Sequence, residues 1–417
     1  MSKDWLEKMN KNIFMTIIIG LPSIKLLSYI LLFLGVVKDS FVINQVYLLW
    51  VLVPLLIGNY LIGILTKKYK FTYIDYLMYF LVLFAVFATI FAYNREVAVF
   101  GEKWRYEGLL SILSYYFIFL NIKNMHNEKY KKQIIDTILY VALFQAIYGF
   151  LQVYTTLPFI KHYSKGYMAM SLCGNPNFFG SYILLPLMIS MGHYLKDGGK
   201  KNLVFTIIFY LSLVTTQSTG PFLTSIITFI LMVLIFGKNF KLTRILIVVL
   251  IFVGGYFFID KTTNYAFTKR RIIPEEAYMI STELKNRTGD VNTLSNGRVE
   301  VWKRTIPLVK KYWFMGAGLD NFQYVYPYNT RREIFDKAHN VYLQIGVTNG
   351  VIVLGIYLLI CFIAFLNGFK FKKGIDIGIY SAFIAYSIQA FANISVIDVA
   401  PIYFMILGLI YTKKEAK

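Results

Sequence analysis

Long apolar runs alternate with short lysine-rich spacers along most of this chain, and one stretch interrupts the pattern. Apolar runs of about 18 residues or more are the signature of membrane-spanning helices. Windows of roughly 20 residues predict about twelve spans, near Ile13–Val36, Val46–Leu65, Tyr73–Tyr93, Gly108–Ile122, Ile134–Val153, Phe178–Leu195, Leu203–Thr216, Pro221–Phe236, Ile245–Ile259, Asn340–Leu366, Ile375–Asn393 and Ile397–Tyr411. The interruption, from about Asp260 to His339, is long, charged and too polar for a bilayer. The expected fold is an all-α polytopic membrane protein forming one integral membrane domain. Its expected parts are spans one to nine over 1–259, an extracytoplasmic loop with amphipathic helices over 260–339, and spans ten to twelve over 340–417. A membrane β-barrel would show alternating strands of about ten residues, which the chain lacks.

The spacers predict an orientation. Lysines cluster at Lys67, Lys68 and Lys70, at Lys123, Lys129, Lys131 and Lys132, at Lys196, Lys200 and Lys201, at Lys238 and Lys241 with Arg244, at Lys370, Lys372 and Lys373, and in the tail at Lys413, Lys414 and Lys417. Every second loop is therefore lysine-rich, which by the positive-inside rule marks the cytoplasmic side. Both termini are expected in the cytoplasm of a plasma-membrane protein. The long loop is expected outside, with the loops around Arg95–Arg105 and Pro158–Asn175. The short N-terminus lacks a small-residue cleavage site, so the first span reads as uncleaved.

Composition then removes other classes. The chain is 57% hydrophobic and 16% charged, against about 25% charged in a soluble domain. The net charge of +21 invites a nucleic-acid partner, but much of it sits in the spacers, so none is expected. Cys173 and Cys361 are far apart and form no metal or redox pattern. No phosphate-cradling glycine loop and no paired-histidine motif is present. No metal and no cofactor are expected.

Polar residues that could carry chemistry concentrate near the loop. Between Gly297 and Trp313, the residues Val299, Trp302, Ile306, Val309 and Trp313 recur at helical spacing and predict one apolar face, with Pro307 expected to kink or divide the helix. Such a basic helix suits either lipid headgroups or packing on the spans. Arg298, Arg331 and Arg332 belong to an arginine set suited to phosphate; attraction to anionic headgroups is the plainer reading. His339 stands where the chain re-enters the membrane, beside Asp336 and Asn340, and could act as a general base; a cap or packed histidine is the structural alternative. Asn175 and Asn177, around Pro176, read as a helix start. Gln217-Ser218-Thr219-Gly220-Pro221 separates two spans almost without a loop and predicts a cavity-lining corner. Arg105 lies in a mixed-charge outward loop that is either solvated or part of an anion site.

These stretches, in order, resemble the O-antigen ligase and O-antigen polymerase family of bacterial membrane proteins. The resemblance rests on Phe100-Gly101 through Arg105-Tyr106-Glu107-Gly108, on Gly174-Asn175-Pro176-Asn177-Phe178-Phe179-Gly180, on the Gln217–Pro221 corner, on Asn296-Gly297-Arg298 with Trp302 followed by Gly316-Ala317-Gly318 with Phe322, and on Asp336-Lys337-Ala338-His339-Asn340 with Tyr342, Leu343 and Gly350. It implies a multi-span, GT-C-like glycosyltransferase. Such an enzyme moves a glycan from a polyprenyl (undecaprenyl) diphosphate to an acceptor hydroxyl on a glycan, lipid or protein, at the outer membrane face. The family's essential histidine falls on His339 and a loop arginine on Arg298. Arg105, Arg331 and Arg332 are then candidates for the diphosphate, and Asn175, Asn177, Thr219 and Asn340 for the lining. Where the family often has Ser-Arg-Gly, this chain has Thr219. A polysaccharide or lipid-linked oligosaccharide transporter is the alternative; it would place ionisable groups near the membrane midplane, where the spans offer mainly Lys25 and Asp75.

Overall fold

The computed structural model describes residues 2–37, 43–155, 168–269, 298–327 and 335–412. The helices, in chain order, are α1 (Lys3–Phe33), α2 (Ile43–Leu65), α3 (Tyr73–Ile90), α4 (Arg95–Phe100), α5 (Leu109–Lys123), α6 (Glu128–Tyr154), α7 (Pro176–Asp197), α8 (Lys200–Thr215), α9 (Thr219–Phe236), α10 (Leu242–Thr262), α11 (Arg298–Lys311), α12 (Phe322–Val325), α13 (Val341–Thr348), α14 (Val351–Gly368), α15 (Gly374–Gln389) and α16 (Ala400–Tyr411). No strand occurs among the described residues. Eight of the helices are long and apolar enough to cross a membrane. A helix lies at each of the predicted spans, but α5 has only 15 residues and α16 only 12.

The centre of the bundle is the pair α7 and α15. Helix α7 is buried on nearly every side, as a helix that is apolar all round must be. It meets α15 backbone to backbone: a Cβ at Gly192 would lie 2.6 Å from Gly378 Cα, and one at Gly378 would lie 2.3 Å from Ile189 O. Small residues permit such approach where lipid supplies no hydrophobic drive. Helices such as α10 and α14 lie outside this pair and expose Leu250, Phe257, Leu358 and Phe362. In water such exposure would be a liability; against acyl chains it is the ordinary condition of a span.

The structure changes three expectations. The tenth span is two helices, because Asn349 and Gly350 (φ +94°) break it between α13 and α14. Pro307 neither divides nor ends α11, which runs unbroken from Arg298 to Lys311. The buried face of α11 is Val301, Thr305 and Leu308, not the stripe expected from apolar spacing. Ile306 and Trp313 of that stripe are exposed, at 50% and 57%, and Trp302 is turned to a polar task at the site.

Two ionisable residues of the spans prove locally held. Asp75 stands in the first turn of α3, where it accepts from Thr72 N (2.6 Å), Thr72 Oγ1 (2.8 Å), Tyr60 Oη (2.9 Å) and Lys123 Nζ (2.5 Å). Lys25 lies buried in α1 within the field of Asp398, and Asp398 accepts from Gln45 Nε2 at 3.1 Å.

Candidate active site

The short loop before α5 is closed at its neck by two glycines. A Cβ at Gly101 (φ +89°) would strike the Tyr106 and Glu107 backbone at 2.4 Å, and one at Gly108 would strike Gly101 N at 2.4 Å. This closure aims the amides of Glu102 and Glu107 at Asp320, whose Oδ2 accepts them at 2.7 and 3.3 Å. Asp320 belongs to the turn that follows α11. Asn321, next to it, exchanges bonds with the Asn94 backbone at 2.7 and 3.0 Å. Nearby in the same turn, Gly316 packs so closely on the end of α13 that a Cβ would lie 2.2 Å from Thr348 O.

Lys337 completes the arrangement. Its ammonium contacts Asp320 Oδ1 at 2.5 Å and Glu107 Oε2 at 3.1 Å, and Lys337, Asp320 and Glu107 are 3%, 4% and 6% exposed. Burial works against its charge, but the two carboxylates outweigh burial and hold the amine protonated, above its ordinary range. The loop before α5 is thus joined to two neighbouring stretches of the long loop by one buried ion triad. Four non-glycine residues on the same three segments have left-handed backbone: Trp104, Tyr106, Asp320 and His339. Such conformations cost about 1–3 kcal/mol each and persist where surroundings fix them.

The stretch of chain carrying His339 is pinned from several sides. Trp302 Nε1 donates to Ala338 O at 3.1 Å, and Ala338 N donates to Gln344 Oε1 at 2.8 Å. Asn340 caps α13 by accepting from Tyr342 N and Leu343 N, both at 3.0 Å. His339 (φ +50°) is left between these anchors, half-buried. Burial, then the nearby Arg298 guanidinium, push its imidazole down to about 4; Asp336 opposes this and Arg105 adds to it.

The two arginines approach from different elements. Arg298 opens α11, donates from Nη1 to Ala392 O at 2.7 Å, and is itself lowered by burial. Arg105 pairs with Asp336 through Nε at 2.5 Å and lies over the Phe178 ring, 5.6 Å from its centroid. Burial raises the Asp336 carboxyl, but the bond and charge of Arg105 bring it net below its ordinary value. The end of α15 closes this side: Gln389 and Asn393 both donate to Ser181 Oγ of α7 at 2.7 Å.

The predicted residues therefore divide. His339, Arg298 and Arg105 come together. Asn340 is a cap that also lines a cavity of about 90 Å³ beneath the triad, with Glu107, Tyr115, Gln344, Tyr386 and Tyr403. Asn175 caps α7 by accepting from Asn177 N at 2.8 Å, so its role in the structure is the expected helix start. Thr219 begins α9, half-buried, where Pro221 packs on Gly180. Arg331 and Arg332 lie outside the described residues. Glu107, Asp320, Lys337 and Asp336 complete the site, and none of them stands out as a site residue from sequence alone.

Fold and site define a multi-pass membrane protein whose charged residues converge under a loop at one end of the bundle. Residues 204–358 match the family model described as O-antigen ligase. The chain is also 23% identical over 228 residues to the ComP-specific O-oligosaccharyltransferase of Acinetobacter baylyi (strain ATCC 33305 / BD413 / ADP1), a match covering 52% of this chain and 38% of that relative. Over residues 204–358 the chain is thus similar to the O-antigen ligase family, and it spans well under half the length of the oligosaccharyltransferase that it matches.

Proposed function

We propose that the protein transfers a glycan from a polyprenyl diphosphate carrier to an acceptor hydroxyl at the outer face of the plasma membrane, in the assembly of cell-surface polysaccharide by ligation or polymerisation. The observation that carries this reading is that Arg105 pairs at 2.5 Å with Asp336, close before His339 in the chain, while Arg298 and Arg105 both act on the His339 imidazole and disfavour its charged form. His339 takes the proton of the attacking hydroxyl. The arginines bind the diphosphate and stabilise the charge that develops as the sugar–phosphate bond breaks, so the leaving group needs no nucleotide at the site. Arg105, above Phe178 at the start of α7, brings a cation to the first turn of the helix whose Gly180 meets the Thr219 corner. It thus supplies charge near the place where the family often has an arginine. With one base and direct displacement, the sugar's anomeric centre inverts.

In this reading the loop face is outside the cell and both termini are cytoplasmic, which the lysine distribution supports. The cavity beneath the triad, which Asn340 next to His339 lines, is suited to the acceptor, since its lining includes polar side chains of Asn340, Gln344 and Tyr115.

The test uses purified protein, a polyprenyl diphosphate glycan and an acceptor, with release of polyprenyl diphosphate as the readout. Arg298→Ala is expected to slow release by ~10²–10³-fold, the usual loss for one preorganised donor to a developing charge, and Arg298→Lys to recover part of it. Full transfer by both Arg298→Ala and His339→Ala would sink the mechanism. A product with retained anomeric configuration would remove direct displacement.

A further inference from the structure

At the opposite, lysine-rich face, the ends of α3, α5, α14 and α16 enclose a cleft of about 380 Å³. Lys70, Lys123, His126 and Lys370 line it, with Tyr73 and Phe371 on its apolar wall. None of the described lining residues is acidic. Asp75, next in sequence to the lining residue Ile74, is fully buried and already accepts four bonds, one of them from Lys123. The Glu7 carboxylate near His126 is likewise engaged: its Oε2 accepts the amides of His126 and Asn127 at 3.0 and 2.7 Å. Lys70 and Lys370 are exposed and in no ion pair among the described residues.

Helix length explains why a concavity forms here. A helix of 12 residues, such as α16, is about 18 Å long, well short of the ~30 Å hydrocarbon layer. Helix α5, with 15 residues, is also short. Both end in this cleft, at Thr412 and Asn124. Both are buried along almost their whole length inside the bundle, so where they stop short the protein surface is concave and open to headgroups.

We propose that this cleft binds the phosphate headgroup of an anionic phospholipid from the adjoining leaflet. Lys70 and Lys370 contact the phosphate, and Tyr73, Phe371 and Ile410 face the glycerol and upper acyl region. The occupant is a lipid because cations and an apolar wall meet at the bilayer surface; soluble phosphate would use the cations alone. Three of the helices that form the cleft, α5, α14 and α16, also floor the cavity at the other end, through Tyr115, Tyr357 and Tyr403. The bound lipid therefore holds that helix set together.

The experiment is native mass spectrometry of the full chain released from nanodiscs of phosphatidylcholine with or without phosphatidylglycerol. The wild type is expected to retain phosphatidylglycerol in preference to phosphatidylcholine. Lys70→Gln/Lys370→Gln is expected to lower that retention by ~25-fold, about fivefold for each lysine at a membrane surface. Lys70→Arg/Lys370→Arg keeps the retention, and Lys238→Gln/Lys241→Gln on another loop leaves it unchanged. Equal loss in the Lys238/Lys241 pair would show general surface attraction and overturn the site. So would equal retention of the two lipids, or complete displacement of phosphatidylglycerol by millimolar inorganic phosphate.

Discussion

Replacing His339 with alanine is expected to lower glycan transfer by ~10²–10⁴-fold, the range for loss of a general base, with the protein still folded. His339 sits at φ +50°, so alanine also disturbs the backbone. His339→Asn separates the two effects, because asparagine tolerates the left-handed region better than most residues but has no basic nitrogen. Equal loss in both variants assigns the effect to the imidazole. The pH dependence follows from the lowered value of about 4. A base whose protonated form is disfavoured stays neutral further into acid, so transfer should hold from about pH 8 to pH 5 and fall roughly tenfold per unit below about 4. A rate–pH profile already halved at about pH 6.5, the ordinary histidine value, would contradict the buried, arginine-flanked imidazole.

Lys337→Met is expected to have the largest effect on stability. It leaves Glu107 and Asp320 as adjacent buried carboxylates without their counter-ion. Breaking a buried ion pair by removing one partner costs about 3–5 kcal/mol, read as a lower unfolding midpoint in detergent. The triple variant Lys337→Met/Glu107→Gln/Asp320→Asn removes the uncompensated charge. The side-chain amide oxygen introduced by Asp320→Asn can still accept the backbone amides of Glu102 and position 107, so most of the loss should be recovered. If Lys337→Met melts with the wild type, the triad does not hold these segments.

How much of this was legible depends on the kind of signal. Spans are written in composition, so the apolar runs located the membrane helices, but α1 and α6 start well before their predicted spans because their first turns are polar. Helix starts at Asn175-Pro176 and His339-Asn340 were legible because capping is local chemistry. The break at Asn349-Gly350 had a signal, an Asn-Gly pair inside an apolar run, which a hydropathy window averages away. The face of α11 misled for a physical reason. Lipid accepts Ile306 and Trp313 as readily as a protein core does, so apolar spacing does not say which stripe faces inward. Glu107, Asp320 and Lys337 gave no sign of one another, because loop charges read as solvated until the fold brings Glu107 to two residues more than two hundred positions away. The resemblance marked their segments as motifs without saying what the charges do there.

The triad also limits how this protein can be recombined. Asp320 and Lys337 lie on the long loop side of the chain, whereas Glu107 lies before α5. A chimera that takes its loop from a relative would import two members and inherit the third from the host. Such a graft is expected to fail unless residue 107 is matched to the incoming pair, although the exchanged segments look self-contained. Modularity ends where a single buried charge has its partners on both sides of the cut.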